Sequence, residues 1–169
     1  MSRAATITIY KQAILAEVDA QTFKRVDGIL ATESEQVKNA LSSDSSEQLD
    51  KHILHRHMET RDAVIRQRLT FCLKADDKDL TATNLLNIDM PTFEYKLLVP
   101  DTFDKQRLTV LARKIHNYIV QGSIFDWYST QNMKGNVSAS ELEDIEASIV
   151  CMLRSSFTKR PLQPFGPRY

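Results

Sequence analysis

Apolar residues recur at three- and four-residue spacing through most of this 169-residue chain, so helices dominate its predicted structure. Ile14, Leu15, Val18, Phe23, Val26 and Leu30 share one face of a helix over residues 8–30. Val37, Ala40 and Leu41 give a short helix over 33–41, and the polar run 42–46 reads as a loop. Ser46 is placed to cap a second long helix over 47–74, with Leu49 and Leu54 opening its apolar face. The period breaks over 75–92. Phe93, Tyr95, Leu97 and Val99 then alternate with Glu94, Lys96 and Leu98, the signature of a strand, with Pro91 and Pro100 at its ends. The nearest partner is the stretch 83–88, which predicts a hairpin turning across 89–92.

A third helix is expected over 104–131, capped by Asp101 or Thr102. Leu108, Leu111, Ala112, Ile115, Tyr118, Ile119 and Gly122 form its inner face. After a turn over 133–137, Ser138 and Glu141 make an S-x-x-E capping box. The last helix carries Leu142, Ile145, Ile149, Met152 and Leu153, and its pattern stops at Phe157. The expected fold is mainly all-α. It is a four-helix bundle over residues 1–157 with an inserted β-hairpin at about 82–99, followed by an extended C-terminal arm over 158–169.

Composition narrows the function classes. Twenty-two basic residues balance 22 acidic ones, which argues against nucleic acid as the partner, sequence-specific recognition included. Only four glycines are present, and neither G-x-G-x-x-G nor a P-loop pattern occurs, so the nucleotide folds built on those motifs are excluded. Cys72 and Cys151 lie far apart within apolar patterns and read as two small buried thiols. The first eight residues lack the regions of a signal peptide, and no run approaches the roughly 18 apolar residues of a membrane span. The chain reads as a cytosolic, reducing-compartment product with no membrane contact.

Four groups of residues are candidates for function. His52 and His55 share a helix face in the run HILHRH, but no third ligand completes a metal site, so a solvated face is the simpler reading. His57, Arg61, Val64 and Arg68 form a row within the apolar arc of the second helix. A buried arginine requires a carboxylate. Asp126, on the inward face of the third helix, is the candidate partner for a structural ion pair with Arg61 and Arg68. The second half of the third helix is apolar nearly all round. Val120, Ile124 and Trp127 there are either fully buried or a subunit interface. Finally, Pro161, Pro164 and Pro167 follow the three-residue period of polyproline II, with Phe165, Arg168 and Tyr169 beside them as docking anchors.

Three blocks carry a resemblance: Ile115 to Asn132 (IHNYIVQGSIFDWYSTQN), Ile9 to Leu15 (IYKQAIL) and Phe93 to Leu108 (FEYKLLVPDTFDKQRL). Together they resemble small structural proteins of tailed bacteriophages and prophages of Bacteroidetes-type bacteria, the head–tail connector (adaptor or neck) components. Met133 follows Asn132 where that pattern has proline, so the exit from the long helix differs. The resemblance implies an all-helical subunit of a twelve-fold ring that binds the portal or another neck or tail protein. It also implies a C-terminal arm that docks on a neighbouring ring, and a place in the virion after assembly in the host cytoplasm. It implies no catalytic residue, cofactor or metal. The alternatives are a cytosolic helical protein-binding module using the same arm, and a metal-dependent enzyme built on His52 and His55.

Overall fold

A computed structural model of the chain describes residues 2–29, 48–74, 90–131 and 137–157. These comprise strand β1 (Ser2–Tyr10), helix α1 (Lys11–Ile29), helix α2 (Gln48–Arg68), strand β2 (Thr92–Pro100), helix α3 (Lys105–Thr130) and helix α4 (Ala139–Phe157). The described protein is mostly helical, with a small two-stranded antiparallel sheet.

The helix expected over 8–30 is present as α1, but it begins at Lys11, because residues 8–10 belong to the N-terminal strand. Ala5, Ile7 and Ile9 turn toward the core while Ala4, Thr6, Thr8 and Tyr10 stay exposed. That two-residue alternation of β-branched side chains favours a pleated, half-buried strand over a helix. Strand β2 follows its own alternation, burying Phe93, Tyr95, Leu97 and Val99. Its partner is β1, in continuous register from Ser2 opposite Pro100 to Tyr10 opposite Thr92. The expected partner, 83–88, lies outside the described residues, as does the short helix over 33–41. The sheet is thus a long-range pairing that brings the N-terminus against the middle of the chain.

Helix α2 stops at Arg68, earlier than the periodicity suggests, and the chain turns through residues 69–72. It does so because Cys72 and Lys74 are taken up by β2. Leu98 donates its N–H to the Cys72 carbonyl at 2.7 Å, and Lys74 donates to the Lys96 carbonyl at 2.8 Å. Helix α3 is capped by Asp104 rather than by Asp101 or Thr102, its carboxylate accepting from the Arg107 amide at 2.7 Å. Helix α4 opens on the reciprocal box. The Ser138 amide donates to Glu141 at 2.7 Å, and the Glu141 amide donates to the Ser138 hydroxyl at 3.2 Å.

Helix α3 is the centre of the fold, touched by α1, α2, α4 and β1. This arrangement decides the fate of Val120, Ile124 and Trp127. All three are buried within the single chain, at 0%, 4% and 3% exposure, and are not a free subunit interface. Helices α1, α2 and α4 all pack on α3, and α1 reaches its second half, where Gln121 donates to Gln21 at 3.1 Å.

Candidate functional site

The core holds two polar clusters, one on each side of α2. The first joins α2 to α3. Arg61 grips Asp126 with both arms of its guanidinium, Nε donating to Oδ2 at 2.8 Å and Nη2 to Oδ1. The side chains are 17% and 20% exposed. Burial opposes the charge on Arg61, but the Asp126 hydrogen bonds and charge outweigh it, and the guanidinium is held more firmly protonated than usual. Gly122 makes room for this pair. A Cβ placed there would stand 2.6 Å from Arg61 Cδ and 2.8 Å from its Cγ and Nε. Arg68 takes a different partner from the one expected. It pairs with Glu146 on α4, because its position at the end of α2, 60% exposed, lies beyond the reach of Asp126.

The second cluster lies where α1 begins, between α2 and β2. Lys11 is almost fully buried, its Nζ 2.6 Å from Glu59 Oε1 and 4.7 Å above the Phe93 ring. Next to it Asp62 accepts from the Tyr95 hydroxyl at 2.5 Å and from Arg66 Nε at 2.6 Å, with the Arg66 guanidinium 4.7 Å over the Tyr95 ring. Burial first, and the Asp62 charge second, push the Tyr95 phenol far above its usual range, so it acts as a proton-holding donor. Two adjoining cavities of about 300 and 270 Å³ open beside this cluster and share Lys11 and Met90 as lining residues.

Of the two histidines read as a solvated face, His52 is exposed and His55 is buried at 4% exposure. His55 departs from the expected solvated face because Lys11, Gln12 and Leu15, at the start of α1, lie around the same cavity. Its Nδ1 and the Nε2 of His57 are sealed from solvent without a hydrogen-bond partner. Among the described residues no group of three or more histidine, cysteine, aspartate or glutamate side chains could hold a metal ion. Cys72 is buried, and burial pushes its thiol up to about 11, whereas Cys151 is exposed, contrary to the reading of two buried thiols. Among the described residues no helix is long and apolar enough to cross a membrane. The arm residues Pro161, Pro164, Phe165, Pro167, Arg168 and Tyr169 lie outside the described residues.

The buried His55 and the half-buried His57 make the fold acid-sensitive. Desolvation, with Lys11 and Lys51 next, lowers the pKa of His55 against the opposing pull of Glu59. Desolvation, with Arg61 and Arg56, lowers that of His57 against the pull of Asp126. The unfolded chain therefore binds more protons than the folded one below the ordinary value of 6.5, and stability falls as pH drops through and below it. Melting temperatures between pH 7.5 and 5.5 should fall, and the double substitution His55→Gln, His57→Gln should flatten that slope. An unchanged slope in the double variant would place the titrating groups elsewhere.

The sheet carries a third feature that the sequence reading missed. Lys96 and Leu98 turn their main-chain groups toward Lys74 and Cys72, away from β1. The odd-numbered residues of β2 therefore exchange hydrogen bonds with Arg3, Ala5, Ile7 and Ile9 in the observed register. By the same alternation Ala4, Thr6 and Thr8 direct their N–H and C=O groups outward, and their side chains are exposed. Among the described residues no strand pairs with that outer edge. The signal was legible in the alternation of ATITIY, residues 5–10, once read with a period of two.

Comparison of the chain with family models, with curated proteins and with solved structures returns no match.

Proposed function

We propose that the protein is a structural subunit of an assembly, a head–tail connector ring in which neighbouring subunits pack laterally and the C-terminal arm docks on the portal or another neck protein. In this reading the four helices act as one bundle that holds the sheet at its margin. The observation that carries it is the outer edge of β1, which no strand meets among the described residues. A nine-residue edge strand without proline, lysine or a bulge is the kind that isolated proteins avoid, because it templates pairing with another chain. The lateral contact moves from the buried face of α3 to this edge.

The occupant is an extended segment of the adjacent subunit. The other long edge in the sheet, that of β2, is already met by Cys72 and Lys74. The arm is a poor ladder partner, since proline at 161, 164 and 167 withholds a donor at every third position. It is left for the partner ring.

Size-exclusion chromatography with light scattering tests the proposal. The parent protein is expected above monomer mass, and Thr6→Pro is expected to be monomeric with an unchanged melting temperature. Proline at position 6 removes an outward N–H while leaving the β1–β2 ladder intact. Thr8→Lys, which blocks the same edge by charge, covers the case in which the proline variant does not fold. A parent protein that stays monomeric across concentration, or edge variants that assemble like the parent, would overturn the reading. Removing residues 158–169 separates the two contacts: ring formation should survive and portal binding should be lost.

A further inference from the structure

Two aromatic rings meet where the C-terminal ends of α2 and α4 come together. Phe71, in the turn after α2, and Phe157, the last residue of α4, pack edge to face with centroids 6.1 Å apart and planes at 74°. The contact leaves both widely uncovered, at 44% and 45% exposure. The Arg154 guanidinium stands 5.4 Å over the Phe71 ring. We infer that this pair is a docking platform for a proline-rich segment in polyproline II conformation, and that its occupant is the chain's own C-terminal arm, residues 158–169.

The first argument is the surface itself. Solitary exposed apolar side chains are ordinary, but two rings in contact form a continuous patch. The rings come from different elements, so the fold rather than the local sequence brings them together. Aromatic surfaces are what proline-rich segments dock on, because the segment is already stiff and loses little conformational entropy when it binds. A polyproline II helix has no internal hydrogen bonds, so its carbonyls accept from donors at the rim. A guanidinium beside the rings offers several N–H groups for that purpose.

The second argument is the occupant. The arm starts at the residue after Phe157 and carries Pro161, Pro164 and Pro167. Their three-residue spacing puts them on one edge of a polyproline II helix, about 9 Å apart. The step from Phe157 to Pro161 spans at most about 14 Å, so even a fully extended chain keeps the first proline near the rings. Tethering at this range gives an effective concentration of about 1 mM, and a contact of about 1 mM affinity is then occupied about half of the time. A second copy would have to reach that concentration in solution. The arm is thereby held on its own subunit, and a partner ring that grips it competes with Phe71 and Phe157 for the same prolines.

Chymotryptic cleavage after Phe165, followed by mass spectrometry of the full chain, reads how often the arm is released. The rate is expected to be about two- to tenfold slower than in a free peptide of residues 158–169. Phe71→Ala should bring it to the peptide rate, whereas Phe71→Tyr should keep the protection. Phe71 is exposed in a turn, so its truncation leaves the core intact. Pro164→Ala, compared with a peptide carrying the same change, tests the arm without touching the helices. Protection should persist on dilution and in Thr6→Pro, so the outcome is independent of the ring contact at β1. A parent rate equal to that of the peptide, or protection unmoved by Phe71→Ala or by Pro164→Ala, would overturn the platform. Protection lost on dilution or in Thr6→Pro would assign the arm to a second copy and overturn its assignment to its own subunit.

Discussion

Trp127→Ala is expected to cost about 3–5 kcal/mol of folding stability and to leave the association state unchanged. The indole is 3% exposed, in the half of α3 where Val120, Ser123, Ile124 and Tyr128 are also buried. Truncation leaves a cavity that the surrounding elements cannot collapse into, because α3 is held from several sides at once. Urea unfolding followed by far-ultraviolet circular dichroism reads the loss as a lower midpoint with an unchanged slope. Light scattering on the same samples reads association. A variant with the parent's midpoint but weakened self-association would return Trp127 to a subunit interface and contradict the burial described above.

The second large effect concerns the α2–α3 pair. Asp126→Ala should destabilise the fold by about 2–4 kcal/mol, because it leaves the Arg61 guanidinium largely enclosed with no carboxylate. The figure sits below the full cost for a sealed pair, since both side chains retain some access to water. Gly122→Ala tests the same geometry from the other side. In an unconstrained helix that change stabilises by about 1 kcal/mol. Here the new methyl group would press on the middle of the Arg61 side chain at 2.6–2.8 Å, where the Asp126 bonds prevent it from swinging away. Overpacking of this kind costs about 1–3 kcal/mol, so against the helical gain the expected net change is a loss of up to about 2 kcal/mol. With Arg61→Ala in place the sign should reverse, and Gly122→Ala should stabilise. A double-mutant cycle that shows additivity would mean that Arg61 does not lie across Gly122.

The Arg61–Asp126 pair was legible in the sequence because both residues sit on apolar helical arcs, and a charge in such a place demands a partner. Arg68 was assigned to the same carboxylate for the same reason. Its actual partner, Glu146, lies on another helix and could not be deduced from the helical period of α2. The cluster of Lys11, Glu59, Asp62, Arg66 and Tyr95 is not legible in the sequence, although each residue has a recognisable position. Lys11 and Glu59 are 48 residues apart, and Asp62 and Tyr95 are 33 apart. Only the approach of α1 and β2 to one side of α2 turns those separate polar residues into a network. His55 departs from the solvated face for a related cause: the residues gathered around it come from the start of α1 and from Met90 and Pro91, far away in the chain.

Local sequence by itself determined the elements of helices α2, α3 and α4, the capping box at Ser138 and the alternating strand β2. Each rests on contacts within a few residues, so periodicity and capping chemistry suffice to specify it. The tertiary structure alone decided that β1 pairs with β2, which faces of α3 are inside, and which edge of the sheet has no partner strand among the described residues. Those outcomes depend on residues about 80–100 positions apart meeting in space, with Ile7 opposite Tyr95 and Ile9 opposite Phe93 as their clearest expression. The apolar surplus on α3 stated that something must cover it. Whether that cover came from the same chain or from another was a matter of three-dimensional closure, and the surrounding helices supplied it.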